Sequence, residues 1–198
     1  MSASGGRPEA SRSGGTPAPG RRSRVPSPRP MRSAFVLLLL LLSGCLASQP
    51  PLGEPSPTPV FDPAEFFVGR SSGRGTVTIR ARGTDTVRVE SVGTRQPDGA
   101  VRLEQTIRRG DAEPYDRVWT LRQSSPGRWT GELTEADGPV EATVEGNELR
   151  IGYRTGTFTT VRQRLLLQPG GDVALNRLTV YVLGVPVARL AERIEKAE

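Results

Sequence analysis

The sequence predicts an all-β fold, an up-and-down antiparallel β-barrel, and three observations carry that expectation. From Gly73 onward, short runs of alternating apolar residues are broken by turn residues about every 8 to 12 positions. The connections between runs are too short to cross over, so strands adjacent in sequence should be adjacent in space. The residues that alternate with the apolar ones are Arg, Glu and Thr, which makes one face of each strand wet.

The runs follow in order. They are Val77 and Ile79; Val87 and Val89; Val101, Leu103 and Ile107; Trp119 and Leu121; Trp129 and Leu133; Val140, Ala142 and Val144; Leu149, Ile151 and Tyr153; and Val161, Leu165 and Leu167. Between them stand Pro97-Asp98-Gly99, Ser125-Pro126-Gly127, Asp137-Gly138-Pro139, Glu145-Gly146-Asn147 and Pro169-Gly170-Gly171-Asp172, residues that supply the fixed or positive φ of a tight reversal. About eight strands are therefore expected. The tail fits two periods, because Val187, Leu190, Ala191 and Ile194 have helical spacing while Val182, Leu183, Val185 and Val187 suit a strand. A strand followed by a short helix or by a closing strand is the expectation there. Whether the inward face lines a cavity or fills a core is open at this level.

Upstream of the barrel the chain reads as a targeting region. Ala34-Phe35-Val36 and the six leucines Leu37 to Leu42 form an apolar run behind Arg32, too short for a spanning helix, which needs about 18 residues. The run ends in Leu42-Ser43-Gly44-Cys45, which resembles the lipobox of bacterial lipoproteins. The resemblance implies cleavage between Gly44 and Cys45, and diacylglyceryl and N-acyl groups on Cys45. Two or more acyl chains give stable anchoring where one would not. Residues 1–30, rich in Ser, Gly, Pro and Arg, have no apolar periodicity and are expected to be disordered. Met31 would start a compact signal peptide over 31–44, and a twin-arginine signal at Arg21-Arg22 is disfavoured by the polar, Pro-rich spacer before the apolar run. Residues 45–60, with Pro50, Pro51, Pro55, Pro57 and Pro59, read as an extended linker, and 61–198 as the barrel domain.

Cutting before Cys45 also changes the charge. The whole chain carries 27 Lys+Arg against 21 Asp+Glu, but seven arginines and a single acid, Glu9, precede the cysteine. From Cys45 onward 20 basic and 20 acidic residues balance, so the basic footprint of a nucleic-acid binder is missing. One cysteine and no histidine exclude an intramolecular disulfide, zinc patterns built on Cys and His, and catalysis by a histidine base. No metal or cofactor is expected, and no enzymatic activity.

The domain opens Phe66-Phe67-Val68-Gly69-Arg70, shows Arg117-Val118-Trp119, then Gly146-Asn147 before Leu149 and Tyr153. The run Leu165-Leu166-Leu167-Gln168-Pro169-Gly170-Gly171 follows, then Leu175-Asn176-Arg177 leading to Leu183-Gly184-Val185-Pro186-Val187. In this order over roughly residues 61 to 196 they resemble an uncharacterised family of bacterial lipoproteins, a domain-of-unknown-function family with a lipocalin-like β-barrel of the calycin type. The resemblance implies a lipid-anchored protein of the bacterial cell envelope and assigns no reaction. Many members carry an acidic pair and a tryptophan where this chain has Arg162, Gln163 and Arg164, so no role tied to that pair carries over. Leu46, rather than Asp, after the cysteine leans toward the outer membrane, facing the periplasm, over the inner membrane.

Four residues are candidate ligand contacts. Arg117 and Trp119 are two apart and share a face, so a guanidinium lying on the indole either plugs one end of the barrel or touches a ligand. Trp129 and Tyr153 fall on apolar faces, as core or as pocket wall. Gly69, Gly73 and Gly75 with Arg70 and Arg74 lead into a strand rather than a helix N-terminus, so a tight turn is expected there and not a phosphate loop. Glu104, Glu132, Asp137 and Glu141 read as a solvated face. Two functions fit: a module binding a small hydrophobic or lipid ligand, or a structural or accessory protein that docks an envelope partner through the barrel's outer face or the stretch from Tyr181 to Val187.

Overall fold

The computed structural model describes residues 52–197, and the signal segment, Gly44 and Cys45 lie outside them. The described chain is one short helix followed by ten antiparallel strands. The helix, α1 (Pro63–Phe67), starts where Asp62 caps it by accepting from the amides of Ala64 and Glu65, with proline at the first helical position. The strands are β1 (Gly69–Ile79), β2 (Gly83–Arg95), β3 (Val101–Arg109), β4 (Tyr115–Ser125) and β5 (Arg128–Leu133). Then come β6 (Val140–Glu145), β7 (Glu148–Gly156), β8 (Thr159–Leu167), β9 (Val173–Val182) and β10 (Val185–Lys196).

Each strand pairs with the next, and β1 pairs with β10 from Ser71↔Lys196 to Ile79↔Ala188, so the sheet closes into an up-and-down barrel. The eight apolar runs of the sequence are β1 to β8 in order. Of the two readings of the tail, the strand followed by a closing strand is the one adopted. It is a hairpin, β9 and β10, whose turn puts Leu183 at φ 50° and Gly184 at φ 78°. Without β10 the 11-residue β1 would present an open edge; pairing satisfies its amides and carbonyls. Gly69 begins β1, while Gly73 and Gly75 lie inside it, so the expected turn at these glycines is a strand.

One end of the barrel is closed. Phe61, Phe66 and Phe67 meet with ring centroids 5.2 to 6.0 Å apart and cap a core of Leu103, Trp119, Trp129, Leu149 and Leu165. The Pro-rich stretch from Leu52 is laid against this end instead of projecting from it. Ser56 donates its amide to Asn147 Oδ1 (2.7 Å) and accepts from the Asn147 amide, and Phe61 donates to the Gly146 carbonyl. Asn147 Nδ2 in turn donates to the Leu167 carbonyl at 2.9 Å, so one buried side chain joins the leading segment to β8. On the same flank Glu148 is wholly buried between Arg150 and Arg164, while Arg162 lies 5.5 Å from the Tyr181 ring. Two of the three residues at which the chain departs from the resembling family thus serve the outer wall.

Candidate ligand cavity

The other end of the barrel is open above a cavity of about 360 Å³. Strand alternation makes its walls. On β2 the odd positions Val87 and Val89 point inward and the even ones outward, and the same period brings in Val77, Ile107, Leu178 and Val180. These side chains are small for a ten-stranded circumference, so they leave the upper half of the barrel unfilled while the phenylalanines and tryptophans fill the lower half.

Behind the lining residue Arg117 the contacts are polar. Gln105 Oε1 accepts from both Arg117 Nε and Trp119 Nε1, each at 2.9 Å, and Gln105 Nε2 donates to Ser91 Oγ. The Arg117 guanidinium lies 5.4 Å from the Trp119 ring centroid, and Tyr153 meets the same indole edge-on at 5.6 Å. Arg117 Nη1 also stands 3.9 Å from Glu135 Oε1 at the rim. Burial pushes the Tyr153 phenol up to about 12, so it stays protonated at neutral pH.

Glu192 also lines the cavity. It is 6% exposed, and its Oε2 accepts from Asn176 Nδ2 at 2.8 Å. Glycine at position 73 makes room for it, since a β-carbon there would collide with Glu192 Oε1. Burial raises the Glu192 pKa above the ordinary 4.5, and the Asn176 bond and the Arg117 charge oppose that shift only in part. Its contribution to stability is therefore complete below the unfolded-state value and is lost as pH rises through the folded-state pKa. We expect Glu192→Gln to unfold at the wild-type temperature near pH 4 and at a progressively higher relative temperature toward pH 8. Thermal scans across that range check this, and a constant difference would count against it.

The four candidate contacts divide. Arg117 and Tyr153 line the cavity, Trp119 is buried against both, and Trp129 lies in the closed-end core, because the six-residue β5 turns its inward face into that core. Arg117 on Trp119 is thus the inner stopper of the cavity as well as part of its lining. Sequence reasoning missed Glu192, Asn176 and Gln105. The available signal was the period of two in Leu190, Glu192 and Ile194, which becomes readable once the tail is a strand. Among the described residues, the buried Gln163 Oε1 and Asn176 Oδ1 have no hydrogen-bond partner, leaving acceptor capacity in the barrel interior.

Two solved structures are similar to this chain at low sequence identity. An S-type phycobiliprotein lyase from Guillardia theta superposes with a TM-score of 0.57 at 10% identity, over 68% of this chain and 90% of that one. A DUF3598-family protein of unknown function from Nostoc punctiforme gives a TM-score of 0.48 at 14% identity, over 76% of this chain and 53% of that one. No curated protein matches the sequence. The first likeness establishes a lipocalin-like barrel fold and nothing of activity, and because that protein is named as a lyase the fold alone does not exclude an enzyme. The family model described as protein of unknown function DUF3833 matches residues 39–196, and the chain belongs to that family.

Proposed function

We propose that this protein is a lipid-anchored, non-enzymatic component of the bacterial cell envelope, outer-membrane bound and facing the periplasm, whose barrel holds one small amphipathic or lipid-like molecule. The cavity is the observation that carries the ligand reading. Its volume falls within the range of ligand pockets, about 300 to 1,000 Å³, and matches about a dozen water-sized groups. Eight aliphatic side chains supply a site for an apolar body. Arg117 and Tyr153 supply donors, and Glu192 an acceptor, for a polar end such as a hydroxyl group.

The anchoring reading rests on Leu42-Ser43-Gly44-Cys45, and the family match, which begins at residue 39, takes in that motif. The non-enzymatic part of the reading rests on the sequence, whose one cysteine and lack of histidine remove a histidine base.

Intact and native mass spectrometry of the chain purified from membranes tests the reading. We expect a polypeptide beginning at Cys45 with covalent acyl groups, which Cys45→Ala lacks, and a small molecule that is released on denaturation. An unacylated chain would overturn the anchor, and a barrel that carries nothing through native purification would overturn the ligand.

A further inference from the structure

The hairpin tips of the open lip differ in charge from one side to the other, with an Asp85–Arg109 pair at 3.6 Å where the two sides meet. Five hairpin tips ring the cavity mouth, and in barrel order the tips of β1–β2, β9–β10 and β7–β8 are neighbours. Arg80 donates its amide to the Val187 carbonyl and Leu183 donates to the Phe158 carbonyl, so the three tips form one tied edge. Residues 79–84, 154–160 and 181–189 contain Arg80, Arg82, Arg154 and Arg189 and no acidic residue. The same edge carries four of the largest exposed apolar side chains among the described residues: Phe158 (65% exposed), Leu183 (73%), Val185 (47%) and Val182 (36%). Across the mouth, residues 110–114 and 134–139 contain Asp111, Glu113, Glu135 and Asp137 and no basic residue.

We infer that the Phe158–Leu183 edge docks on an anionic phospholipid surface, with the apolar tips entering the interface and the arginines meeting the phosphates, while the acidic half of the lip is held away. Apolar points flanked by positive charge are the pattern that interfacial membrane binding needs. A protein partner fits less well. The apolar groups stand on separate tips with arginines between them, whereas a specific protein interface needs a continuous face of about 800 Å² on each side. The edge borders the cavity, since Val180 on β9 and Val161 on β8 line it just below the tips. Docking therefore brings the mouth to the lipid surface. The inference depends neither on the cavity's occupant nor on acylation of Cys45.

The test uses the chain from residue 45 onward with Cys45→Ala, which removes the only cysteine along with the upstream arginines and apolar run. Phe158→Cys, Leu183→Cys or, as the control on the acidic half, Glu113→Cys is then labelled with a polarity-sensitive fluorophore. On vesicles of equal parts phosphatidylglycerol and phosphatidylcholine, we expect emission at positions 158 and 183 to shift to the blue and rise severalfold, and to be quenched by spin-labelled lipid. Position 113 should not change. Arg80→Gln with Arg82→Gln should reduce the response, as should vesicles of phosphatidylcholine alone. Labels at 158 and 183 that stay water-like on both vesicles would overturn the inference. So would an equal response at 113, or a response indifferent to lipid charge. A shift seen only on adding soluble periplasmic protein would assign the edge to a protein partner and overturn it as well.

Discussion

Gly93→Ala is expected to destabilise the barrel by about 3 kcal/mol, the upper part of the range for forcing atoms into a packed site. Gly93 is the inward residue near the end of β2, paired with Gly69 and Leu103, and a β-carbon there would fall on the Phe67 carbonyl oxygen. Neither side can yield cheaply, since both are backbone. The displaced element would be α1, which carries Phe66 and Phe67 into contact with Phe61, so a single methyl group disturbs the whole aromatic plug. Gly152→Ala is the matched control. Its β-carbon would meet nothing within 4 Å, and the residue has no positive φ, so its loss of unfolded-state freedom should be neutral or stabilise by about 0.5 kcal/mol. Urea denaturation reads both, with the midpoint of Gly93→Ala lower by about 1–2 M at an unchanged slope. Equal midpoints for the two variants would show that α1 is not seated as described.

Val180→Trp should abolish occupancy of the cavity while leaving the fold intact. Val180 is half-buried, pairs with Val161 and Ala188, and lines the void at the margin of the core it packs against. An indole there occupies space that is otherwise unfilled, so the overpacking penalty of a dense core does not apply. Titration with N-phenyl-1-naphthylamine, a small apolar fluorophore, should show affinity at least about tenfold weaker than wild type, a difference of about 1.4 kcal/mol. The melting temperature should not fall. Thr160→Trp places the same side chain on the exposed outer face of β8 and should leave the affinity unchanged. If both variants bind the fluorophore as wild type does, the probe lies elsewhere and the cavity is not its site.

Much of the barrel was legible in the residues. Alternation within β2, β3, β7 and β8 is a local property, because successive side chains on an extended chain must point to opposite faces, and the buried positions follow it apart from Glu148 and Leu166. The turn motifs from Pro97-Asp98-Gly99 to Pro169-Gly170-Gly171-Asp172 also act locally and fall between strands. The tail resisted for a physical reason. Val187, Leu190, Ala191 and Ile194 satisfy helical spacing by coincidence, since only Leu190 and Ile194 of the four alternate in phase with the inward Glu192. What decides between helix and strand is β1, more than a hundred residues away in the chain, whose unpaired edge β10 covers.

The site was legible in part. Arg117 and Trp119 had to share a face, because their separation of two residues guarantees it on any strand. Tyr153 joins them only because the closed circumference turns β7 toward β4, and Trp129 is kept away because aromatic packing fills the closed end first. Glu192 could not be distinguished from the surface acids until β1 and β10 were paired across Gly73.

By itself, the sequence determined the all-β alternation, the order of turns, the neutral balance of charge after Cys45, and the apolar run and small residues that precede that cysteine. Each depends on residues within a few positions of one another or on composition. Only the tertiary structure decided that there are ten strands, that one end of the barrel is packed with aromatic rings while the other holds a cavity, that a buried carboxyl lines that cavity, and that the hairpin tips of its lip differ in charge from one side to the other. Those features depend on closure, which brings together residues that share no local signal and sets how much volume their side chains must fill.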